Sequence, residues 1–340
     1  MWIDKKTTNI RIVAELANGH EGSIEQALLL LKAAASAGAD AGKFQVIYAD
    51  ELSTPDYEYH DTFRGLEMPD SGWARIAREA EALGLALILD IFGERSLNLA
   101  NNLGLREVMI HATDLTNMAL IDAVAAREWD SLILGVGGAH LSEIEMAVNK
   151  LSPSSLVIMV GFQGYPTPDN ENQVARVARL IEHFSSFPNL TVGFADHSLP
   201  NSPYVVPFSS MALGFGARVF EKHLTLGESM KLLDSDSALN PDKFADFSRG
   251  LRACLEAMGT LLPEDHFGMY PAEERYRAMV RRKVVTTKNL SAGSIIRSGD
   301  VQLKRSGKIG DVFDINLVID RVLRVDVKAN HPLVSDDVEE

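Results

Sequence analysis

Eight short apolar, β-prone runs recur along the first three-quarters of this chain, at 10–16, 41–47, 86–92, 107–112, 132–136, 156–162, 190–195 and 217–221. Helical periodicities lie between most of them. In 23–37, Ile24, Ala27, Leu28 and Leu31 share one face and Gly38 closes the helix. In 71–83, Trp73, Ile76 and Ala80 do the same, with Gly84 following. Segment 142–151 opens on Ser142 as N-cap with Glu145 three residues on, the pattern of a capping box. Eight strand–helix units over about 260 residues predict a (β/α)8 (TIM) barrel. The alternative is a doubly wound open sheet, but Glu15-Leu16-Ala17-Asn18-Gly19-His20 lacks the glycine fingerprint expected after its first strand.

The periodicity changes after Gly259. Proline and clustered acids make 263–280 a linker, so the barrel is assigned to 1–262 and a small β-rich module to 281–340, with short strands expected at 301–304 and 324–327. About 60 residues is marginal for independent stability, so this module is expected to pack on the barrel or on a second chain. The chain of 340 residues is 46% hydrophobic, enough for a large core. Its net charge of −14 argues against nucleic acid as a partner. No run is long enough to span a membrane. The first residues, Met1-Trp2-Ile3-Asp4-Lys5-Lys6, form no apolar signal region, and the single Cys254 excludes an internal disulfide; both fit a cytoplasmic location.

Polar residues gather where the strand runs end. The first gives Glu15 and Asn18-Gly19-His20, the second Lys43-Phe44-Gln45, the fourth Asp114-Leu115-Thr116-Asn117, and the sixth Gln163-Gly164-Tyr165-Pro166. The last two give Asp196-His197-Ser198 and Glu221-Lys222-His223. Burying so many ionisable groups separately is costly, so a shared cavity at the C-terminal end of the barrel is the economical explanation. Two imidazoles from neighbouring strands, His197 and His223, can hold a divalent cation and leave positions open for substrate. Lys43 has three readings: an anion ligand, a Schiff-base nucleophile, or a salt-bridge partner of Glu15 or Glu221.

These runs, together with Val13-Ala14-Glu15, Ala37-Gly38-Ala39-Asp40, Leu224-Thr225-Leu226 and Ser237-Ala238-Leu239-Asn240-Pro241, resemble the sialic acid synthase family in order and spacing. The tail, with Arg281-Arg282-Lys283, Ile295-Ile296 and Leu303-Lys304-Arg305, resembles that family's antifreeze-like (SAF) domain. The resemblance implies a metal-dependent condensation of phosphoenolpyruvate with an N-acylated amino sugar, in surface-glycan biosynthesis. It implies Mn²⁺ or Mg²⁺ on His197 and His223, and phosphoenolpyruvate contacts from Lys43 and Gln45. Glu15 and Glu221 would meet substrate or metal-bound water, Asp234 a sugar hydroxyl, and Asp114 would take part in proton transfer. Tyr165, Asp196 and Lys222 join the substrate-binding set. A domain-swapped homodimer is also implied, with Arg305 reaching the partner's site.

The departures from the family pattern fall on the phosphate side. Met109 stands where the family has lysine, Gly135-Val136-Gly137-Gly138 where it has Ser-Thr-Gly-Met, Phe162-Gln163-Gly164 before Tyr165-Pro166 where it has Thr-Ser-Asn, and Leu89-Asp90-Ile91 where it has Ser-Thr-Pro. The glycine-rich stretch is read as a tight turn, with an anion-binding backbone as the alternative. His111 and His140 have no family counterpart and are read as structural. Two other functions stay open: a metal-dependent aldolase or lyase that does not use phosphoenolpyruvate, and a non-catalytic sugar-binding homologue.

Overall fold

The computed structural model describes residues 9–151, 154–259 and 269–339. It divides into two units at Gly259/Thr260. In the first, strands β1 (Arg11–Ala17), β2 (Ala41–Val46), β3 (Ala86–Ile91), β4 (Glu107–Ile110), β5 (Ser131–Gly135), β6 (Leu156–Val160), β7 (Leu190–Asp196) and β8 (Val219–His223) form a closed parallel barrel in sequence order. The pairing Val13↔Glu221 and Glu15↔His223 closes it between β1 and β8.

Helices follow the strands: α1 (Ile24–Ser36), then α2 (Ala49–Leu52), α3 (His60–Leu66) and α4 (Asp70–Ala82) after β2, and α5 (Glu94–Asn102) after β3. The circuit is completed by α6 (Met118–Ala125), α7 (Leu141–Leu151), α8 (Arg176–His183), α9 (Val205–Gly214) and α10 (Pro241–Met258). Ser23 caps α1 by accepting the Gln26 N–H at 3.3 Å, and Gly38 ends that turn at φ +81°. The capping box read at Ser142 and Glu145 is displaced. The helix starts at Leu141, and the Glu143 carboxylate accepts the His140 N–H at 2.7 Å. Glu143 lies three residues after His140, so it satisfies the same orphan donor two residues earlier. Glu145 instead contacts His183 at 2.7 Å.

Side chains alternate across each strand. Val13, Ala41, Ile88, Met109, Ile133, Val157, Met159, Ala195 and Val219 fill the barrel interior. Their strand neighbours, among them Ile12, Leu89, Val108, Leu132, Ile158, Phe194 and Phe220, pack under the helices. The inner wall is therefore apolar at depth, and its next residues toward the mouth are the polar ones.

In the second unit, α11 (Pro271–Val280) occupies much of the stretch assigned as linker, whose residues 263–268 lie outside the described residues. Strands β9 (Lys283–Thr286) and β10 (Val301–Lys304) pair antiparallel over a small core that includes Val284, Ile296, Leu323 and Leu333. The strand expected at 324–327 does not form a ladder. Arg324 donates to the Asp337 carbonyl at 2.8 Å, Val327 bridges Leu290, and the Asp326 carboxylate takes the Ala292 N–H at 2.8 Å. Its groups go to three neighbours, so no single partner strand runs alongside.

Candidate active site

The C-terminal end of the barrel opens into a cavity of about 450 Å³. Its polar wall comes from β1, β2, β3, β7, β8 and the loops beyond: Glu15, Lys43, Gln45, Asp90, His197, Glu221, His223, Tyr165 and Asp234. Its other wall, from β4 to β6 and the loops beyond, is Met109, His111, Ala112, Thr113, Gly135, Val136, Gly137, Met159 and Phe162, apolar apart from His111 and Thr113.

Lys43 is the hub of the polar wall. Its Nζ lies 2.6 Å from Glu15 Oε2, 2.8 Å from Glu221 Oε2 and 2.8 Å from Met109 Sδ. Burial works to strip the proton, but Glu15, Glu221 and Asp90 together outweigh it and lift the lysine above its ordinary value. Lys43 is thus a fixed ammonium, and of its three sequence readings the salt bridge is the one observed. Glu15 also accepts the Ala17 N–H at 2.8 Å. Burial pushes its carboxyl up to about 8 against the pull of Lys43, with Glu221 adding to the rise.

His197 and His223 face each other with ring centroids 5.2 Å apart. Burial holds His197 down at about 4 and His223 well below the usual imidazole range, so both rings are neutral. The Nδ1–H of His197 donates to the Ala195 carbonyl at 3.1 Å, which leaves Nε2 with a free lone pair. Phe162 and Tyr165 stand edge-on to His197 at 5.1 and 6.0 Å. Two neutral nitrogen donors on a cavity wall fit a divalent cation. Among the described residues no three His, Cys, Asp or Glu side chains form a complete ligand cluster. A cation here would leave most of its coordination to water and substrate.

Elsewhere on the polar wall, Asn18 Nδ2 donates to Gln45 Oε1 at 2.7 Å, and Asp234 Oδ2 accepts the Asn18 N–H at 3.1 Å. Tyr165 donates its hydroxyl to the Asp234 main-chain carbonyl. Tyr165, Gln45 and Asp234 therefore form one connected edge of the cavity.

Three of the residues assigned to the site stand elsewhere. Asp196 and Lys222 are fully buried and are not among the cavity-lining residues. Alternation explains this: Ala195, Glu221 and His223 point inward, so Asp196 and Lys222 point toward the helices. There Lys222 Nζ binds Asp196 Oδ1 at 2.8 Å and the Ser198 carbonyl at 2.7 Å, while Asp196 Oδ1 also takes the Ser198 N–H at 2.8 Å. The pair fixes the tip of β7 that carries His197. Asp114 does not line the cavity either; the 3-10 turn at Ala112–Asp114 carries it into a loop, where it accepts the Asn117 amide at 2.9 Å. Arg305 is exposed in the second unit, its Nε donating to the Val280 carbonyl at 3.2 Å. His140 is exposed, whereas His111 lines the cavity, its ring tilted against Phe92 with centroids 5.1 Å apart.

Asp90 is the cavity residue that the sequence reading left out of its candidate set. It is 1% exposed, and neither carboxylate oxygen has a hydrogen-bond partner among the described residues. Burial raises it to about 8, against the pull of Lys43. The folded form therefore holds a proton that the unfolded chain releases above about pH 4, so Asp90 removes stability as pH rises from about 4 to 8. Asp90→Asn is expected to gain on the wild type across that window by up to about 1.4 kcal/mol per pH unit. Urea melts of metal-free protein at pH 5 and 7.5 measure this, and a pH-independent difference would refute it.

The NeuB family model matches residues 30–262, and the SAF domain model matches residues 281–339. The N,N'-diacetyllegionaminic acid synthase of Legionella pneumophila is 25% identical over 351 residues, covering 96% of this chain and 94% of that protein. In fold, the chain matches spore coat polysaccharide biosynthesis protein E of Chromobacterium violaceum with a TM-score of 0.83 at 21% identity, over 98% of this chain and 100% of the other. It matches the N-acetylneuraminic acid (sialic acid) synthetase of Leptospira borgpetersenii with a TM-score of 0.71 at 23% identity, over 81% and 93%. The family match takes in well over half of the chain, and the motif resemblance and the barrel agree with it: the chain belongs to the NeuB family and carries a SAF domain at its C-terminal end.

Proposed function

We propose that this protein is a nonulosonic acid synthase, joining a three-carbon donor to the aldehyde of an N-acylated amino sugar. The observation that carries the reading is the pair of neutral imidazoles, His197 and His223, facing a polar wall at the barrel mouth of a NeuB-family chain. His197 and His223 would hold a divalent cation, Mn²⁺ or Mg²⁺, which when bound supplies Lewis-acid polarisation of the aldehyde. Lys43 keeps Glu15 and Glu221 in fixed positions beside the imidazoles. Glu15, its carboxyl raised by burial, supports a role in delivering the proton that the aldehyde oxygen gains. Gln45, Tyr165 and Asp234 offer the hydrogen-bonding edge that sugar hydroxyls need.

The test is incubation with Mn²⁺, N-acetylmannosamine-type sugars and three-carbon donors, with mass spectrometry of the products. A nine-carbon acid is expected. Its absence with every donor would sink the reading.

The active species is further proposed to be a homodimer, with Arg305 of the partner subunit completing each site. Arg305→Ala is expected to lower turnover about tenfold while light scattering still reports a dimer. A fully active monomer would defeat this.

A further inference from the structure

Among the described residues, the β3–β6 half of the cavity presents no lysine or arginine to an anion. Lys43 is the cation on the cavity wall, and a lysine has three N–H donors. Its charge is already shared between two carboxylates, Glu15 at 2.6 Å and Glu221 at 2.8 Å, and one N–H points at the Met109 sulfur at 2.8 Å. In the glycine-rich turn the Val136 N–H is already used by the Met159 carbonyl at 3.1 Å. Asp90 then adds a carboxyl group, buried and without a hydrogen-bond partner, paired in register with Met109 on one side and Gln45 on the other.

Apolar side chains crowd this wall of the cavity. A Cβ added at Gly135 would lie 2.7 Å from Met109 Cε, and one at Gly137 would lie 2.6 Å from Phe162 Cβ. The two glycines thus make room for a methionine tail and a phenylalanine ring. With Met159 and Val136 they form a small apolar floor. Such a floor suits a methyl group. A doubly charged phosphate would find there only Lys43, whose charge is already shared between Glu15 and Glu221, beside the carboxyl group of Asp90, which is unfavourable in a site of low dielectric.

We propose that this half of the cavity admits a small unphosphorylated α-keto acid of the pyruvate type and excludes its phosphorylated enol counterpart. The inference rests on the synthase reading above, and deepens it by naming the donor. The methyl group lies on Met109, Met159 and Val136, and Asp90, when protonated, donates a hydrogen bond to the ligand's oxygen atoms. The reaction is then an aldol addition. A C3–H bond of the donor breaks, a bond forms between C3 and the aldehyde carbon, and a proton ends on the aldehyde oxygen. Nothing leaves, so neither phosphate release nor an attacking water is required.

Isothermal titration of the full chain with Mn²⁺ present, using pyruvate and phosphoenolpyruvate as the probes, decides the matter. Pyruvate is expected to bind at least about tenfold more tightly. Phosphoenolpyruvate binding as tightly or better, or no binding of either, overturns the proposal. Met109→Lys restores a cation, and Asp90→Asn, compared with wild type at pH 8.5 where the carboxyl has ionised, removes a negative charge; each is expected to raise phosphoenolpyruvate affinity at least about tenfold relative to pyruvate. Two variants guard against one failing to fold, and an unchanged preference in both refutes the assignment to these residues. Adding the sugar separates the two layers of the argument. Tight pyruvate binding without any product supports the donor assignment and counts against the synthase reading.

Discussion

His223→Ala is expected to lower turnover by on the order of 10³-fold and to weaken Mn²⁺ binding at least about 100-fold. His223 is the last residue of β8, held opposite Glu15 in the strand register and facing His197 across 5.2 Å between ring centroids. Burial keeps both rings neutral, so each offers a lone pair at any pH near 7. With no third histidine, cysteine or carboxylate clustered on them among the described residues, removing one imidazole leaves a single protein nitrogen. Lewis-acid polarisation contributes several kcal/mol, and each 1.4 kcal/mol is tenfold in rate. Calorimetric Mn²⁺ titration and the product assay are the measurements. His111→Ala serves as the contrast, because His111 packs against Phe92 and is expected to leave Mn²⁺ affinity unchanged. Full turnover in His223→Ala, or in chelator-treated protein, would refute a catalytic metal.

Gly161→Ala is expected to destabilise the protein by about 3–5 kcal/mol. Gly161 directly follows β6 at φ +134°, a conformation that side-chain-bearing residues rarely adopt. A Cβ there would lie 2.1 Å from the Ala195 carbonyl oxygen, which is backbone and cannot turn aside. That same carbonyl accepts the His197 Nδ1–H. Pushing it away therefore loosens the imbalance-sensitive end of β7 and the orientation of His197, so turnover falls in whatever fraction stays folded. Gly135→Ala should cost less, about 1–3 kcal/mol, because the atom it meets first is the free end of Met109. Denaturant melts rank the two. A Gly161→Ala midpoint indistinguishable from wild type would show that β6 and β7 can separate without penalty.

The barrel was legible in the sequence because each strand is a nearly continuous apolar run and each helix carries its own stripe and stop signal. The position of the site was legible too, since the polar residues follow the runs. What motif matching blurred was facing. In Glu221-Lys222-His223 a single residue step separates a cavity wall from a helix-packed interior, and the same step divides Ala195 from Asp196. Counting by twos from Val13, Ala41, Ile88 and Val219 selects Glu15, Lys43, Asp90 and Glu221 and rejects Lys222. Asp90 was missed because it was read as a lost family residue rather than as a group with its own chemistry. Asp114 was misplaced because a 3-10 turn, which no run-length argument detects, carries it off the wall. Arg305 was assigned through a dimer that the family resemblance implies, and one sequence holds no signal for how two copies would meet.

The dry ion pair behind the site bears on how a ligand is received. Lys222 and Asp196 together engage the amide, hydroxyl and carbonyl of Ser198, and so clamp the residue next to His197 from the side that faces the helices. A histidine held this way has little rotational freedom left to lose when something binds it. The Ser198 amide should accordingly be among the slowest in the chain to exchange with deuterium, and bound and free protein should differ little there. Ligand capture at this edge is then a matter of fit to a rigid rim rather than of closing over the guest.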